Sequence, residues 1–402
     1  MKNIYHSDIY KFNSPVKSYW EDNSQENLNL EKLTKDVKSE IVVIGGGYTG
    51  LLCAINLIEN YNLDVILVEA GKIGWGASSR NAGFNCLPPS KMSFKKMQSI
   101  YGNDETKKFY KNSVEGSNYT KDIIKEYNID CDVTGNSNYV VAHHPNKFEQ
   151  IKEQARAYKD EFEIETEVYS KEEFNQIGHG GTEQYGAFSY KPGFAINPLK
   201  FVNGIAKYAL SKKLKIFEHT KVDQINKDNG SYLLKTKEGS IRSKKIVVAT
   251  NGFYQEGLIP KMDGRVLPVI SNIIVTRKLN DDELNAHNFK TFSPIANTKN
   301  LLYYYRKLPD NRILFGTRGD LSGSDQSNLD MSKKMEKFLK DIFPKWSNIN
   351  IEYNWRGLIA LSQKLTPSIG KIDNEEIYYG FGYNGVGVSA APWTGKQLSK
   401  LV

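Results

Sequence analysis

The sequence predicts an α/β chain: a Rossmann-like domain of parallel strands and helices, beside a second, mixed α+β domain built on a largely antiparallel sheet. Three observations predict it. The run Ile41-Val42-Val43-Ile44 is short, β-branched and unbroken, as a strand buried on both faces should be. It leads at once into Gly45-Gly46-Gly47-Tyr48-Thr49-Gly50 and an apolar helix. Strand-then-glycine signals recur near 246–252 and 377–387, separated by two stretches of different character, 93–195 and 265–353.

The first unit is a dinucleotide fingerprint in full context. Gly45 allows a tight turn, Gly47 lets backbone approach a pyrophosphate, and Gly50 lets the following helix pack close to the strand. That helix, from about Tyr48 to Glu59, points its partly positive end at the phosphates. A second buried strand, Val65–Val68, ends in Glu69 and Ala70, where an acid accepts hydrogen bonds from a ribose diol and disfavours a 2′-phosphate.

The remaining elements follow in order. Residues 1–38 are polar and form an N-terminal arm. "GKIGWGASSRNAGFNCLPPS" is too long for a bare connector and reads as functional. Residues 93–128 read as helices, "SNYVVAHHP" as a short strand, and Pro145–Lys159 as an amphipathic helix. "NPLKFVNGIAKYALSKK" is a helix capped by Asn197, with Pro198 in its first turn. Strands are expected in "KIFEHTKVDQIN", "SYLLKTKEG" and "SKKIVVATNG". From 265 to 320, alternating runs such as "NLLYYYRKL" and "NRILFGTRG" suggest an antiparallel sheet. The end is a strand, a glycine loop and a final helix. The expected division is 1–38 for the arm, 39–92 with 196–264 and 354–402 for nucleotide binding, and 93–195 with 265–353 for the substrate.

Composition bounds the function. The chain has 402 residues, 39% of them hydrophobic and 12% aromatic, which supports folded domains and excludes disorder. No apolar stretch is long enough to span a membrane, and the N-terminal residues lack the apolar core of a secretion signal. Cys53, Cys86 and Cys131 form no C-x-x-C pair, which fits a reducing, cytoplasmic setting. The net charge of +8 comes from lysines scattered among acids, so no nucleic-acid partner is expected. Six histidines without ligand spacing imply no metal. A G-x-S-x-G elbow and a P-loop are both missing, which weighs against hydrolases and nucleoside triphosphatases. An NAD half-site needs only the first motif, whereas a flavin ring needs further loops converging from elsewhere in the chain. The recurring glycine signals therefore favour FAD.

The residues "SYW" at 18–20, "GWGASSRNAGF" at 74–84, "AINPLKFVNGIA" at 195–206, "YYRKLPDNRILFG" at 304–316 and "GFGYNGVGVSAAPWTGK" at 380–396 carry a resemblance over nearly the whole chain. The sequence resembles the D-amino acid oxidase/glycine oxidase/sarcosine oxidase superfamily of FAD-dependent oxidoreductases. Within it the likeness is to bacterial γ-glutamylputrescine oxidase-type enzymes. The resemblance implies oxidation of a C–N bond of an amine or N-substituted amino acid to an imine, with hydride transfer to the flavin and reoxidation by oxygen to hydrogen peroxide. A dehydrogenase with a quinone or protein acceptor, and a non-catalytic FAD-binding assembly protein, remain alternatives.

By the same resemblance, Gly45, Gly46, Gly47, Tyr48, Thr49 and Gly50 sit at the pyrophosphate and Glu69 with Ala70 at the ribose. Ser78, Ser79, Arg80 and Asn81 lie along pyrophosphate and flavin, Arg80 as a bidentate cation. Val222 gives its backbone to adenine. Ala249, Thr250 and Gly252 pack against the cofactor, and Gly382, Asn384, Gly385, Val386 and Gly387 aim the last helix at the flavin's carbonyl edge. Arg306 and Tyr304 are the expected substrate contacts. Gly357 stands where relatives with covalent flavin carry cysteine, so FAD is expected to bind non-covalently. Ile359 replaces one arginine of the glycine oxidase clamp, which shifts the expected substrate from glycine to an amine or larger amino-acid derivative. Ser362-Gln363-Lys364 departs from the usual T-P-D. Of Tyr303-Tyr304-Tyr305, alternation lets at most one or two reach a pocket.

Overall fold

The structure, a computed structural model, describes residues 4–24, 26–87 and 92–402. Residues 1–3 and 25 of the expected arm, and 88–90 at the end of the expected functional loop, lie outside the described residues, as does 91.

The strand-glycine signals converge as the sequence predicts. One eight-stranded sheet runs Ser368–Lys371, Ile377–Phe381, Ser240–Val248, Val37–Ile44, Val65–Val68, Lys215–Phe217, with the hairpin Gln224–Asp228/Ser231–Lys235 added on Ser240–Val248. Its central pairs are parallel, with Val42 opposite both Ile246 and Ile66. These strands are apolar on both sides because both faces are covered. Helices Tyr48–Tyr61 and Pro198–Ser211 bury one face through Leu51, Ile55, Phe201 and Ile205, while Leu234, Ile259 and Met262 cover the other. Each such side chain removed from water stabilises the fold by about 1.5–3 kcal/mol. Asn197 caps the second helix as its spacing predicts, accepting from the N–H groups of Leu199 and Lys200.

The strand expected over 215–226 is broken. Lys215–Phe217 continues the parallel edge and Gln224–Asp228 belongs to the hairpin, and His219 between them has φ +49°. The break carries residues 218–223 across the ends of the parallel strands, beside Glu69.

A second eight-stranded sheet has the order Ile351–Ser362, Val266–Thr276, Ile313–Arg318, Tyr304–Lys307, Ile295–Asn297, Asn138–Val141, Ala187–Tyr190, Thr166–Tyr169. Its pairs are antiparallel except that of Ile295–Asn297 with Asn138–Val141. Strand Ile351–Ser362 pairs along its length with Val266–Thr276, so residues 354–362 are hydrogen-bonded into this sheet. One face of the sheet is sealed by helix Asp325–Ile342 and the cluster of Phe289, Phe343 and Trp346. The other looks toward the parallel sheet. The long helix Phe94–Glu126, kinked at Gly102, packs on helix Gly387–Ser399, where Thr120 Oγ1 donates to Val388 O (3.0 Å). Among the described residues, no helix is long and apolar enough to cross a membrane.

Candidate functional site

A cavity lies between the carboxyl ends of the parallel strands and the open face of the second sheet. At its first end, Gly45 adopts φ +115°, and a Cβ there would lie 2.7 Å from the carbonyl oxygen of Ala249. A Cβ on Gly50 would come within 1.9 Å of the Gly45 oxygen, so helix Tyr48–Tyr61 can cross the strand end only over glycine. Gly45, Gly47, Tyr48 and Thr49 line the cavity. Gly50 does not, and neither does Gly46, whose backbone is turned to Glu69. Glu69 Oε2 accepts from Gly46 N (2.7 Å) and Oε1 from Gly71 N (2.9 Å). Burial raises the Glu69 pKa, and these two donors oppose the rise. Each oxygen keeps a lone pair for a diol. Ala70, Val222, Ala249 and Thr250 complete this end. Gly252 is off the lining, packed under Leu358.

The loop after the second parallel strand supplies Ser78, Arg80 and Asn81 to the lining; Ser79 is buried off it, its N–H on Gly74 O (3.0 Å). Arg80, expected as a bidentate cation for phosphate or for flavin electronics, has its donors on the protein's own carbonyls. Its Nε donates to the carbonyls of Trp75 and Gly76 (2.9 Å each), Nη1 to Arg356 O (3.1 Å), and Nη2 again to Trp75 O. The guanidinium stacks 4.3 Å from the Trp75 ring centroid. It therefore ties the loop to strand Ile351–Ser362 while leaving a cation at the wall. Burial pulls its pKa down to about 10, still above neutrality. Gly357 lies against it, and a Cβ there would meet Arg80 Cδ at 2.7 Å.

The glycine loop before the last helix reaches the cavity with Asn384, Gly385, Val386 and Gly387. Gly382 stays behind them, donating to Asn251 Oδ1 (3.0 Å). Helix Gly387–Ser399 begins here without a side-chain cap, so its positive end faces the cavity. Asn384 Oδ1 and Thr250 Oγ1 are buried without a hydrogen-bond partner. Orphaned polar atoms, unshielded helix starts and glycines that admit no Cβ fit a dinucleotide bearing a polar ring.

The second sheet forms the opposite wall. Antiparallel pairing sets Tyr304 opposite Gly316, and Ser271 opposite both Arg318 and Gly357, so these residues share one face. Tyr304 lies flat over Gly316, hydrogen-bonded to Ser271 Oγ (2.9 Å). Burial raises its pKa and keeps the phenol neutral. Tyr303 and Tyr305 turn to the sealed face, as alternation requires.

Arg306 does not reach the cavity. It is 1% exposed, under Trp20, with Nη2 donating to Ile196 O (2.7 Å). Arg318 does reach it. Its guanidinium has no oxygen partner in the described residues, and its Nη2 lies 2.8 Å from where a Gly385 Cβ would be. No motif marks Arg318. The available signal is alternation, which places Leu314, Gly316 and Arg318 on the face of Tyr304. Tyr158, Tyr190, Gln154, Asn138 and Cys86 form the far wall, and burial pushes the Cys86 thiol up to about 12, so it is neutral. Among the described lining residues, Glu69 is the only carboxylate.

Residues 40–401 match the family described as FAD dependent oxidoreductase, DAO. The chain belongs to this family. Its dinucleotide is accordingly FAD. Relatives of this DAO chain include a probable oxidoreductase OrdL of Haemophilus influenzae, 27% identical, covering 98% of this chain and 89% of the relative. The γ-glutamylputrescine oxidoreductase of Escherichia coli is also 27% identical, over 96% of this chain and 89% of its own. Among solved structures, glycine oxidase from Geobacillus kaustophilus superposes with a TM-score of 0.74 at 17% identity, covering 90% of this chain and 95% of that one. That likeness shows the shared two-domain fold.

Proposed function

We propose that this DAO-family protein oxidises the C–N bond of an amino acid or N-substituted amino acid to an imine, which water then hydrolyses, with oxygen as the final electron acceptor and hydrogen peroxide as its product. Bound FAD supplies the acceptor of the two electrons. The observation that carries the substrate reading is Arg318: a half-buried guanidinium that lines the cavity beside Tyr304, its Nε buried without a hydrogen-bond partner. An unpaired buried cation is costly unless a ligand anion completes it, and a planar carboxylate matches its fork.

The rest of the wall fits that assignment. Tyr304 offers a neutral phenol hydroxyl beside the cation. Among the described lining residues the one carboxylate, Glu69, is at the ribose end, so none of them offers an acid to a second ammonium of a polyamine. A cation without a neighbouring acid also disfavours the protonated substrate amine, and the neutral amine is the form that can be oxidised. Relatives named γ-glutamylputrescine oxidoreductase and glycine oxidase support a C–N donor. In this reading Glu69 and Val222 hold the adenosine half of FAD, and Gly45 to Gly50 with Ser78 its pyrophosphate. Asn384, Gly385 and the start of helix Gly387–Ser399 hold the ring. The attachment is non-covalent, since Gly357 has no side chain to form a link and Cys86 is a neutral thiol.

The experiment is an absorbance spectrum before and after acid precipitation, then anaerobic addition of amines and amino acids, then oxygen. A yellow protein that releases its flavin, bleaches with carboxylate-bearing amines and recovers its colour in oxygen is the expected result. Bleaching by none of the panel would remove the catalytic reading, and slow recovery would replace oxygen by another acceptor.

A further inference from the structure

The family match starts at residue 40, and an ordered arm precedes it. The arm's first anchor is on the second sheet. Tyr5 Oη donates to Pro268 O (2.9 Å) and His6 N to Ser322 O (2.9 Å). Ile9, 3% exposed, packs with Ile270 and Leu358. Lys11 pairs with Asp8 (2.7 Å) and Asp325 (3.2 Å), and Asp8 accepts from Asp325 N (3.0 Å). The chain then crosses to the dinucleotide loop. There the Phe12 ring centroid lies 4.8 Å from that of Trp75 and 6.2 Å from that of Phe253, and all three rings line the cavity. Ser14 O accepts from Trp75 Nε1 (2.9 Å), and Asn13 Oδ1 meets His219 Nδ1 at 3.0 Å. The second anchor is Trp20, 2% exposed, with Nε1 on Asn81 O (3.0 Å).

One segment is thus held by buried side chains at both ends and by exposed or half-buried ones in the middle, and its middle puts an aromatic ring on the cavity wall. We propose that residues 5–20 are part of the cofactor site: a strap in which Phe12 completes the wall with Trp75 and Phe253, so that FAD exchanges only when the Phe12 segment lifts. The proposal rests on the FAD reading of the cavity. Ile9 and Trp20 are buried in clusters, whereas Phe12 is half-buried and its neighbours Lys11, Asn13 and Ser14 are exposed. Local opening of the middle costs less than release of either anchor, because fewer apolar contacts break. While it is closed, the ring keeps water from the cofactor's outer side.

FAD release from the loaded protein, followed by recovery of free-flavin fluorescence after rapid dilution, tests the strap. Phe12→Ala is expected to release FAD about tenfold faster, from the apolar cover it removes, and Phe12→Leu to fall between it and the wild type. A second readout needs no substitution. Lys11 and Lys17 are exposed trypsin sites flanking the ring, and FAD loading is expected to slow cleavage at both. Wild-type release rates in Phe12→Ala, or equal cleavage with and without FAD, would overturn the strap while leaving FAD binding intact. A wild-type chain that takes up no FAD would instead remove the cofactor reading, and the strap with it.

Discussion

Arg306 and Arg318 stand on the same face of the same sheet, about 13 Å apart along the strand direction. Arg306 is 1% exposed, with Nε and Nη1 buried and unpartnered, whereas Arg318 is half-buried, with Nε alone in that state. At the Arg306 end, Trp20 and Ala82 lie over Leu314, Val275 and Trp355, and the chain's own carbonyl of Ile196 takes a donor. At the Arg318 end no carbonyl of the described residues takes a donor, and Gly385, where a Cβ would lie 2.8 Å from Nη2, keeps the space beside the cation open. The difference is one of cover. Strand alternation decides which residues share a face, but a distant segment decides which end of that face is core and which is a site.

Four substitutions sharpen or break this contrast, the largest effect first. Arg318→Met is expected to lower kcat/KM for amino-acid substrates about 10²–10³-fold, the usual loss when one partner of a buried charge pair is truncated. Its thermal midpoint should not fall, since a half-buried charge with an unpartnered Nε is removed from the free protein. Equal losses on amino acids and on the corresponding decarboxylated amines would break the assignment. Arg306→Ala is expected to do the reverse. It should lower stability in urea titrations by about 3 kcal/mol, because a large buried side chain leaves a void, and leave KM where it was.

Tyr304→Phe keeps the ring over Gly316 but removes the hydroxyl beside Arg318. A loss of about fivefold in kcat/KM is expected, one hydrogen bond's worth, seen in steady-state kinetics with little change in melting. The sealed face supplies an effect confined to acid pH. His179 accepts from Gly181 N (3.1 Å) at Nδ1, so its Nε2 donates to Tyr305 Oη (2.8 Å). Burial, with the neighbouring His287 adding to it, pulls its pKa down to about 3. The unfolded chain takes up this proton below about pH 6.5 and the folded chain resists until about 3, so stability falls on acidification by about 1.4 kcal/mol per pH unit. His179→Phe should flatten the urea midpoint against pH between 6 and 4 by that share, with no effect on substrate binding at neutral pH.

The fingerprint was legible because its constraints are local. The turn at Gly45, the helix crossing at Gly50 and the acid at Glu69 all follow from one strand–helix–strand unit. The capped helix Pro198–Ser211 and the facing of the three tyrosines were legible for the same reason. What could not be read depends on distant partners. Arg80 spends a donor on the carbonyl of Arg356, far along the chain, so its charge is anchored rather than free. The strand Ile351–Ser362 runs through the expected boundary at 354 because Val266–Thr276 pairs with it throughout. Arg318 lies beside Gly385 and Ser271, neither near it in sequence, and only their convergence separates it from Arg306.

Anaerobic titration of the FAD-loaded protein tests the central claim most directly, using amino acids each paired with the amine that lacks its carboxylate. Bleaching of the flavin by the amino acid at concentrations about a hundredfold below its amine is the expected result, given what a charge-assisted pair contributes. Bleaching by the amine at equal or lower concentration would contradict the assignment of Arg318 to a substrate carboxylate.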